Sequence, residues 1–307
     1  MPLFSVVIPA YNRREMLVKA IESVLSQDFT DYELIVVDDG STDGTESIES
    51  MYNGRLRYIY QPNSGVSQAR NRGIREAVSP HIALLDSDDT WHKTKLRKDK
   101  EYIESNPSEN IHQSEDIWIR NSRRVNPGKK HLKKDGYIFS ESLKLCMISP
   151  SSVVFSRKII DNYGLFDEEL PACEDYDRWL RITPFEYIGL IKEKLITRYA
   201  GHSDQLSSNY PLMDRFRLYS IMKLLSSCGD KLSDIQKKEA QTAAIEKARM
   251  LLAGSLKRGN RDNLLILEKI ISSLEHGSYT KRDYQSLLQL QHHHDYLLLL
   301  FHNVAKN

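Results

Sequence analysis

Phe4-Ser5-Val6-Val7-Ile8-Pro9 is a nearly unbroken apolar run, and its reading decides how the next eighty residues are understood. A strand that is apolar at consecutive positions leaves no face for water, so it belongs in a sheet covered on both sides. Residues 14–26 follow with helical spacing through Met16, Leu17, Ala20, Ile21, Val24 and Leu25. Glu33–Val37 is a second apolar strand, followed by a capped helix start at Ser41–Asp43. Leu56–Tyr60 reads as a third strand, Val66–Val78 as a helix and His81–Leu85 as a fourth strand. This alternation predicts an α/β fold built on a parallel sheet. In such sheets ligands gather beyond the carboxyl ends of the strands. Tyr11, Asn12, Asp38, Asp39, Asp86, Asp88 and Asp89 stand there.

Beyond this core the pattern loosens. A charged helix is expected over 94–106, and the polar, basic stretch 121–135 reads as a mobile loop. A strand at 152–156, an acidic segment at 173–182 and short strands at 187–191 and 195–199 come next. From about Tyr210 only helical periodicity remains, with helices expected near 211–227, 233–257, 261–275 and 280–304. A domain boundary is therefore expected near residue 208, dividing 1–208 from an all-helical region, 209–307. Stripes such as Ile245, Ala248, Leu251, Leu252 and Leu256, and Leu264, Leu267, Ile270, Ile271 and Leu274, need a surface to pack on. Self-packing with homodimerisation is the expectation. His292, His293 and His294 are consecutive, so on a helix they diverge and cannot share one ion.

The chain's 307 residues carry 43 Lys and Arg against 42 Asp and Glu. That balance offers no global field for nucleic acid or another polyanion. Three scattered cysteines, Cys146, Cys173 and Cys228, form neither a disulfide framework nor a CxxC metal pair. No basic, apolar leader precedes the first strand, and no run of about 18 apolar residues could span a bilayer. A cytoplasmic protein is expected, with peripheral contact at the inner membrane face as the variant reading.

Leu85-Asp86-Ser87-Asp88-Asp89 places three carboxylates within four residues at the end of an apolar strand. They repel one another unless a cation neutralises them. A hard divalent ion that also meets substrate phosphates, Mn²⁺ or Mg²⁺, suits them. An isolated cluster of this kind is more often a solvated turn, but position at a strand end shifts the balance. Asp38-Asp39-Gly40-Ser41-Thr42-Asp43 ends a second strand and can accept hydrogen bonds from a base or ribose, with a plain Asx turn as the even alternative. Asn63-Ser64-Gly65 opens a helix that carries Arg70 one turn in, a weak diphosphate signal on its own. Glu174, Asp175 and Asp177 begin an amphipathic helix. Dipole capping explains them, and so does a general base.

Taken together and in order, Val7 to Asn12, Gln27-Asp28, Val37 to Asp43, Gly65 to Asn71, Leu85 to Asp89 and Glu174 to Asp177 resemble the family 2 glycosyltransferases over roughly residues 3–208. The resemblance implies a GT-A fold, a Rossmann-like nucleotide-binding sheet, and inverting, non-processive transfer from a nucleotide-sugar, UDP-linked at the level of the family, to a glycan, lipid-linked or protein acceptor in polysaccharide, lipopolysaccharide or glycoconjugate synthesis. It implies that Pro9, Tyr11 and Asp39 hold the nucleoside and that Asn63 and Arg70 contact the donor. Asp86 and Asp88 match the DxD pair, Asp88 on the metal and Asp86 on ribose or metal. Asp175 matches the catalytic base, supported by Glu174, and His202 a position near the metal. The QxxRW pattern and membrane helices of processive synthases are missing; Arg178-Trp179 is a fragment only. A nucleotidyltransferase would carry a glycine-rich basic loop after the first strand, and a dehydrogenase GxGxxG; neither is present. A non-catalytic nucleotide-sugar-binding module is the remaining alternative, and the retention of Asp88 and Asp175 counts against it.

Overall fold

The computed structural model describes residues 1–126, 128–201, 210 and 212–290. The chain divides into two compact units, Met1–Ile138 with Leu145–Ser203, and Phe139–Lys144 with the chain from Asp204 onward.

In the first unit β1 (Phe4–Ala10), β2 (Tyr32–Asp38), β3 (Arg57–Tyr60) and β4 (His81–Leu84) pair in parallel, in the order β3-β2-β1-β4. The connecting helices are α1 (Arg14–Leu25), the five-residue α2 (Ser47–Met51) and α3 (Val66–Glu76). Period-two geometry sends alternate residues of β1 into two cores. Phe4, Val6 and Ile8 meet Leu17, Ala20, Ile21 and Val24 of α1 on one side. Val7 meets Ala69 and Ile74 of α3 on the other. α3 packs so closely that a Cβ on Gly73 would lie 2.3 Å from the Val7 side chain. Both faces are dry, as the apolar run requires.

The sheet is not parallel throughout. β5 (Thr90–Trp91), the helix α4 (Lys95–Ser105), β6 (Ile111–Arg120), β7 (Arg123–Val125), β8 (Val153–Ser156) and β9 (Gly189–Ala200) extend it to nine strands, β3-β2-β1-β4-β8-β6-β9-β5 with β7 on β6. β8 runs antiparallel to both β4 and β6, and β5 antiparallel to β9. Parallel pairing needs a crossover helix per strand, and this half of the unit supplies few. The two short strands expected at 187–191 and 195–199 are one strand, β9, irregular in register where β6 bulges at Ser114–Asp116. The stretch expected to be a loop holds β7 and a 3-10 turn at Lys129–His131. Ser41–Asp43 does not start a helix: Asp43 instead accepts from the amides of Arg14 (2.9 Å) and Thr45 (3.2 Å). Gln27 bolts α1 to α4, donating to the His92 carbonyl (2.9 Å) and accepting from the Leu96 amide (3.0 Å). Helices α6 (Arg157–Tyr163) and α7 (Glu174–Ile182) complete the unit.

The second unit contains α5 (Phe139–Lys144), α8 (Asp214–Cys228), α9 (Asp234–Arg258), α10 (Arg261–Glu275) and α11 (Lys281–Ser286). α8 is buried nearly all round, from Phe216 to Leu225. The inward stripe of α9 is Ala240, Ala244, Ala248, Leu251 and Ser255, while Leu256 is exposed. Small alanines let α8 and α10 approach closely. α10 buries Leu267, Ile270 and Leu274 as its spacing predicts. α5 is held here too, with Ser140 donating to Glu239 of α9 (2.7 Å) and Phe139 and Leu143 buried. Of the last expected helix, 280–304, the described part is α11 and a 3-10 turn at Leu287–Gln289; residues 291–304, His292–His294 among them, lie outside the described residues. No helix among the described residues is long and apolar enough to cross a membrane.

Candidate active site

The polar residues flagged by sequence converge beyond the carboxyl ends of β1, β2 and β4. Asp38 and Asp39 are buried at the end of β2. Asp38 accepts from the Ser41 amide (2.9 Å) and from the Tyr58 hydroxyl. Asp39 accepts from Gln61 Nε2 (2.7 Å) and from the amides of Ser64 (2.9 Å) and Gly65 (2.8 Å). Its carboxylate thus shapes the 61–65 loop that leads into α3. Gly40 is essential to that arrangement: φ is +83° and a Cβ would stand 2.6 Å from the Asn63 backbone nitrogen. Pro9 lies within the buried run of β1, which ends at Ala10, whereas Tyr11 (48% exposed) and Asn63 face solvent at the rim.

The acidic cluster follows β4. One carboxylate oxygen from each of Asp86, Asp88 and Asp89 lies within 4.8 Å of the others. Asp88 pairs with Arg13 at 2.8 Å and Asp86 with Arg70 at 2.6 Å. Asp89 is buried, accepting from Ser151 Oγ (2.6 Å) and the Tyr199 amide (3.1 Å). Ser151 Oγ also accepts from the Asp86 amide (3.1 Å), so one hydroxyl couples the cluster to the turn before β8. Burial, and next the Asp88 charge, push the Asp89 carboxyl well above the usual carboxylate range. Hard oxygen donors crowded under that electrostatic load fit a divalent cation.

Arg70 is 4% exposed and lies between Asp86 and Glu174, 2.6 Å from each. Burial disfavours its charge, but the two carboxylates more than offset that and raise its pKa. Within the protein, Arg70 engages two carboxylates and the Gly65 amide engages Asp39. Arg70 therefore acts as a strut tying the acidic cluster to α7.

At the start of α7, Cys173 adopts the left-handed conformation (φ +61°), a strained choice for a buried non-glycine residue. The four residues that follow separate the acids by environment. Glu174 is buried against Arg70, and Asp177 is 1% exposed and pairs with Arg181 at 2.9 Å. Asp175 alone of the three is partly open to solvent. Its Oδ2 accepts from the Cys146 thiol (3.3 Å). His202 lies outside the described residues. Sequence reasoning did not find Arg13, Ser151, Tyr58 or Cys146, whose side chains reach the site from distant segments with no spacing to mark them, and it gave Asp89 no role of its own.

Residues 5–164 match the family described as Glycosyl transferase family 2. An uncharacterized glycosyltransferase of Rickettsia felis is 32% identical over 199 residues, 62% of this chain and 32% of that protein. The chain thus matches only about a third of that relative's length. TuaG of Bacillus subtilis, a glycosyltransferase proposed to act in teichuronic acid biosynthesis, is 42% identical over 106 residues, 33% of this chain and 42% of TuaG. Among solved structures, residues 1–349 of S. aureus TarS in complex with UDP-GlcNAc align with a TM-score of 0.61 at 19% identity, covering 91% of this chain and 93% of that one. That likeness establishes the GT-A fold.

Proposed function

Because the chain belongs to glycosyl transferase family 2, we propose that it is a metal-dependent, inverting transferase that moves a sugar from a UDP-sugar to a growing envelope polysaccharide. The observation that carries this reading is the convergence of the Asp86-Asp88-Asp89 cluster with the one solvent-accessible acid of α7, through the shared strut Arg70. The UDP-GlcNAc bound by TarS and the teichuronic acid biosynthesis proposed for TuaG support the donor and acceptor classes.

Asp88, with Asp86, would hold Mn²⁺ or Mg²⁺, which neutralises charge on the departing nucleoside diphosphate when bound. Pro9, Tyr11 and Asp39 frame the nucleoside subsite, with Asn63 at its rim. Asp39 does so with its carboxylate already engaged by the 61–65 loop. Asp175 takes the proton of the acceptor hydroxyl as that oxygen bonds to the anomeric carbon and the diphosphate leaves. A single base on the face opposite the leaving group inverts the centre. Glu174, fixed by Arg70, keeps the helix start in register with the cluster. His202 is retained as a metal-side candidate from sequence.

A library of UDP-, GDP- and dTDP-sugars incubated with the full chain and Mn²⁺, read by mass spectrometry for nucleoside diphosphate release, tests the reading. UDP release from one or a few UDP-sugars is expected. Release from none of the library, with no nucleotide-induced rise in Tm, would favour a non-catalytic binding module.

We further propose that residues 209–307 form a packing and dimerisation region. α5 sits within the first 208 residues yet packs against α9. Truncation after Ser208 would therefore bare Phe139 and Leu143, and the shortened protein is expected to aggregate or melt at a lower Tm. A truncated chain that stays soluble and monomeric with full activity would show the tail to be a separable appendage.

A further inference from the structure

The near-neutral chain hides a local concentration of charge. Seven of the fifteen residues from Arg120 to Lys134 are Lys or Arg, and no acid interrupts them. Arg120, Arg123, Arg124, Lys129 and Lys130 are exposed. Among the described residues, no carboxylate forms an ion pair with any of these five.

Their placement is ordered. Asn121 and Ser122 both take positive φ (+48° and +61°), which makes the β6–β7 connection a tight two-residue hairpin. The Asn121 amide donates to the Ala200 carbonyl at 3.3 Å, fastening the hairpin tip to β9. Residues directly paired across strands share a sheet face. Arg120 faces Arg123, and Trp118 faces both Val125 and Arg198. One face therefore carries Arg123, Arg120, Trp118 and Arg198 in sequence. Like charges directly opposite each other destabilise a hairpin unless an anion comes between them. The Arg120–Arg123 pair is such a juxtaposition, with no acid among the described residues to relieve it.

The same face leads inward to the catalytic cluster. The Arg198 guanidinium lies 5.1 Å from the Trp118 ring centroid, and Trp118 Nε1 donates to Asp116 (2.8 Å). Lys133, 3.4 Å from Asp116, donates to Ser152 Oγ (2.5 Å), the neighbour of the Ser151 that bonds Asp89. Burial works against the Arg198 charge, and the carboxylates of Asp89, Asp116 and Asp86, in that order, outweigh it. Among the described residues, the inner cations thus have carboxylate partners and the outer ones do not.

We propose that this strip is the acceptor track and that the acceptor is an anionic glycan, a sugar chain bearing uronate carboxylates. The proposal rests on the transferase reading of the same site. A file of cations leading toward the acidic cluster suits a polymer threaded to it. A bilayer surface would need cations spread over a plane. Unpaired guanidinium groups at the outer end would clasp carboxylates of the chain while its terminal sugar enters beside Asp175.

The test uses the full-length protein and fluorescein-labelled oligogalacturonate, read by anisotropy. Labelled dextran oligomers of equal length are the neutral control, and phosphatidylglycerol vesicles in a sedimentation assay are the membrane arm. Oligogalacturonate is expected to bind, more weakly as salt rises. R120S/R123S should lose roughly tenfold or more in affinity, and R120K/R123K should keep most of it. UDP affinity in Mn²⁺ should be equal in all three proteins. Equal binding of dextran, no loss in R120S/R123S, or binding to vesicles but not to oligogalacturonate each overturns the track. A wild-type chain that binds oligogalacturonate but not UDP counts against the transferase reading alone.

Discussion

Asp88→Asn is expected to abolish the Mn²⁺-dependent gain in UDP-sugar affinity and to lower turnover by about 10³-fold or more, the scale of a metal's several kcal/mol of charge stabilisation. The amide keeps the size of the side chain and can still meet Arg13, now 2.8 Å from the carboxylate, so the fold should survive. What it loses is the anionic oxygen offered to a hard cation. Calorimetric titration of UDP with and without Mn²⁺ separates the two effects, and circular dichroism checks the fold. Undiminished Mn²⁺ enhancement in the variant would remove Asp88 from the metal site. Asp89→Asn serves as the contrast. Asp89 is buried with both oxygens accepting from Ser151 and Tyr199, so its loss should register first in stability.

The second large effect is expected at α7. Asp175→Asn should leave UDP-sugar affinity in Mn²⁺ nearly unchanged while cutting transfer by about 10²–10⁴-fold, the usual worth of a positioned base. Asp177→Asn should behave differently. Its carboxylate is buried and tied to Arg181 at 2.9 Å, so removing it unpairs a cation and lowers Tm more than it lowers the rate of the folded enzyme. A paired measurement of Tm and single-turnover rate for both variants decides between them. Normal turnover in Asp175→Asn with lost turnover in a stably folded Asp177→Asn would transfer the base to Asp177.

Physically, the two predictions divide along a line set by Arg70. Because one guanidinium binds both Asp86 and Glu174, the metal-side carboxylates and the base helix cannot drift apart independently. A catalytic cluster needs that pre-organisation, since small misplacements of reacting groups cost large factors in rate. The strained Cys173 at the α7 start belongs to the same picture, a local cost held in place by the surrounding core.

Sequence alone determined the sandwich of β1, β2 and β4 between two apolar layers, because an unbroken apolar strand has no face to leave wet. It also located the three acidic turns, because carboxylates at strand ends are local features that need no partner to be seen. The helices of the second unit were legible from their period, although the stripe of α9 that faces inward is the alanine-rich one, a choice made by close packing. Tertiary structure alone decided the mixed half of the sheet, antiparallel except where β6 and β9 pair in parallel, which depends on chain directions after long excursions and leaves no periodic trace. It made a hairpin of the basic stretch expected to be a loop, since pairing with β9 was needed to order it. It assigned the acids of α7 their separate environments, because burial beside Arg70 or Arg181 is a property of contacts between residues far apart in the chain. And it gave Arg70 and the Gly65 amide their protein partners, since a buried charge or donor is held by whichever oxygen the fold brings within reach, and here those oxygens belong to Asp86, Glu174 and Asp39.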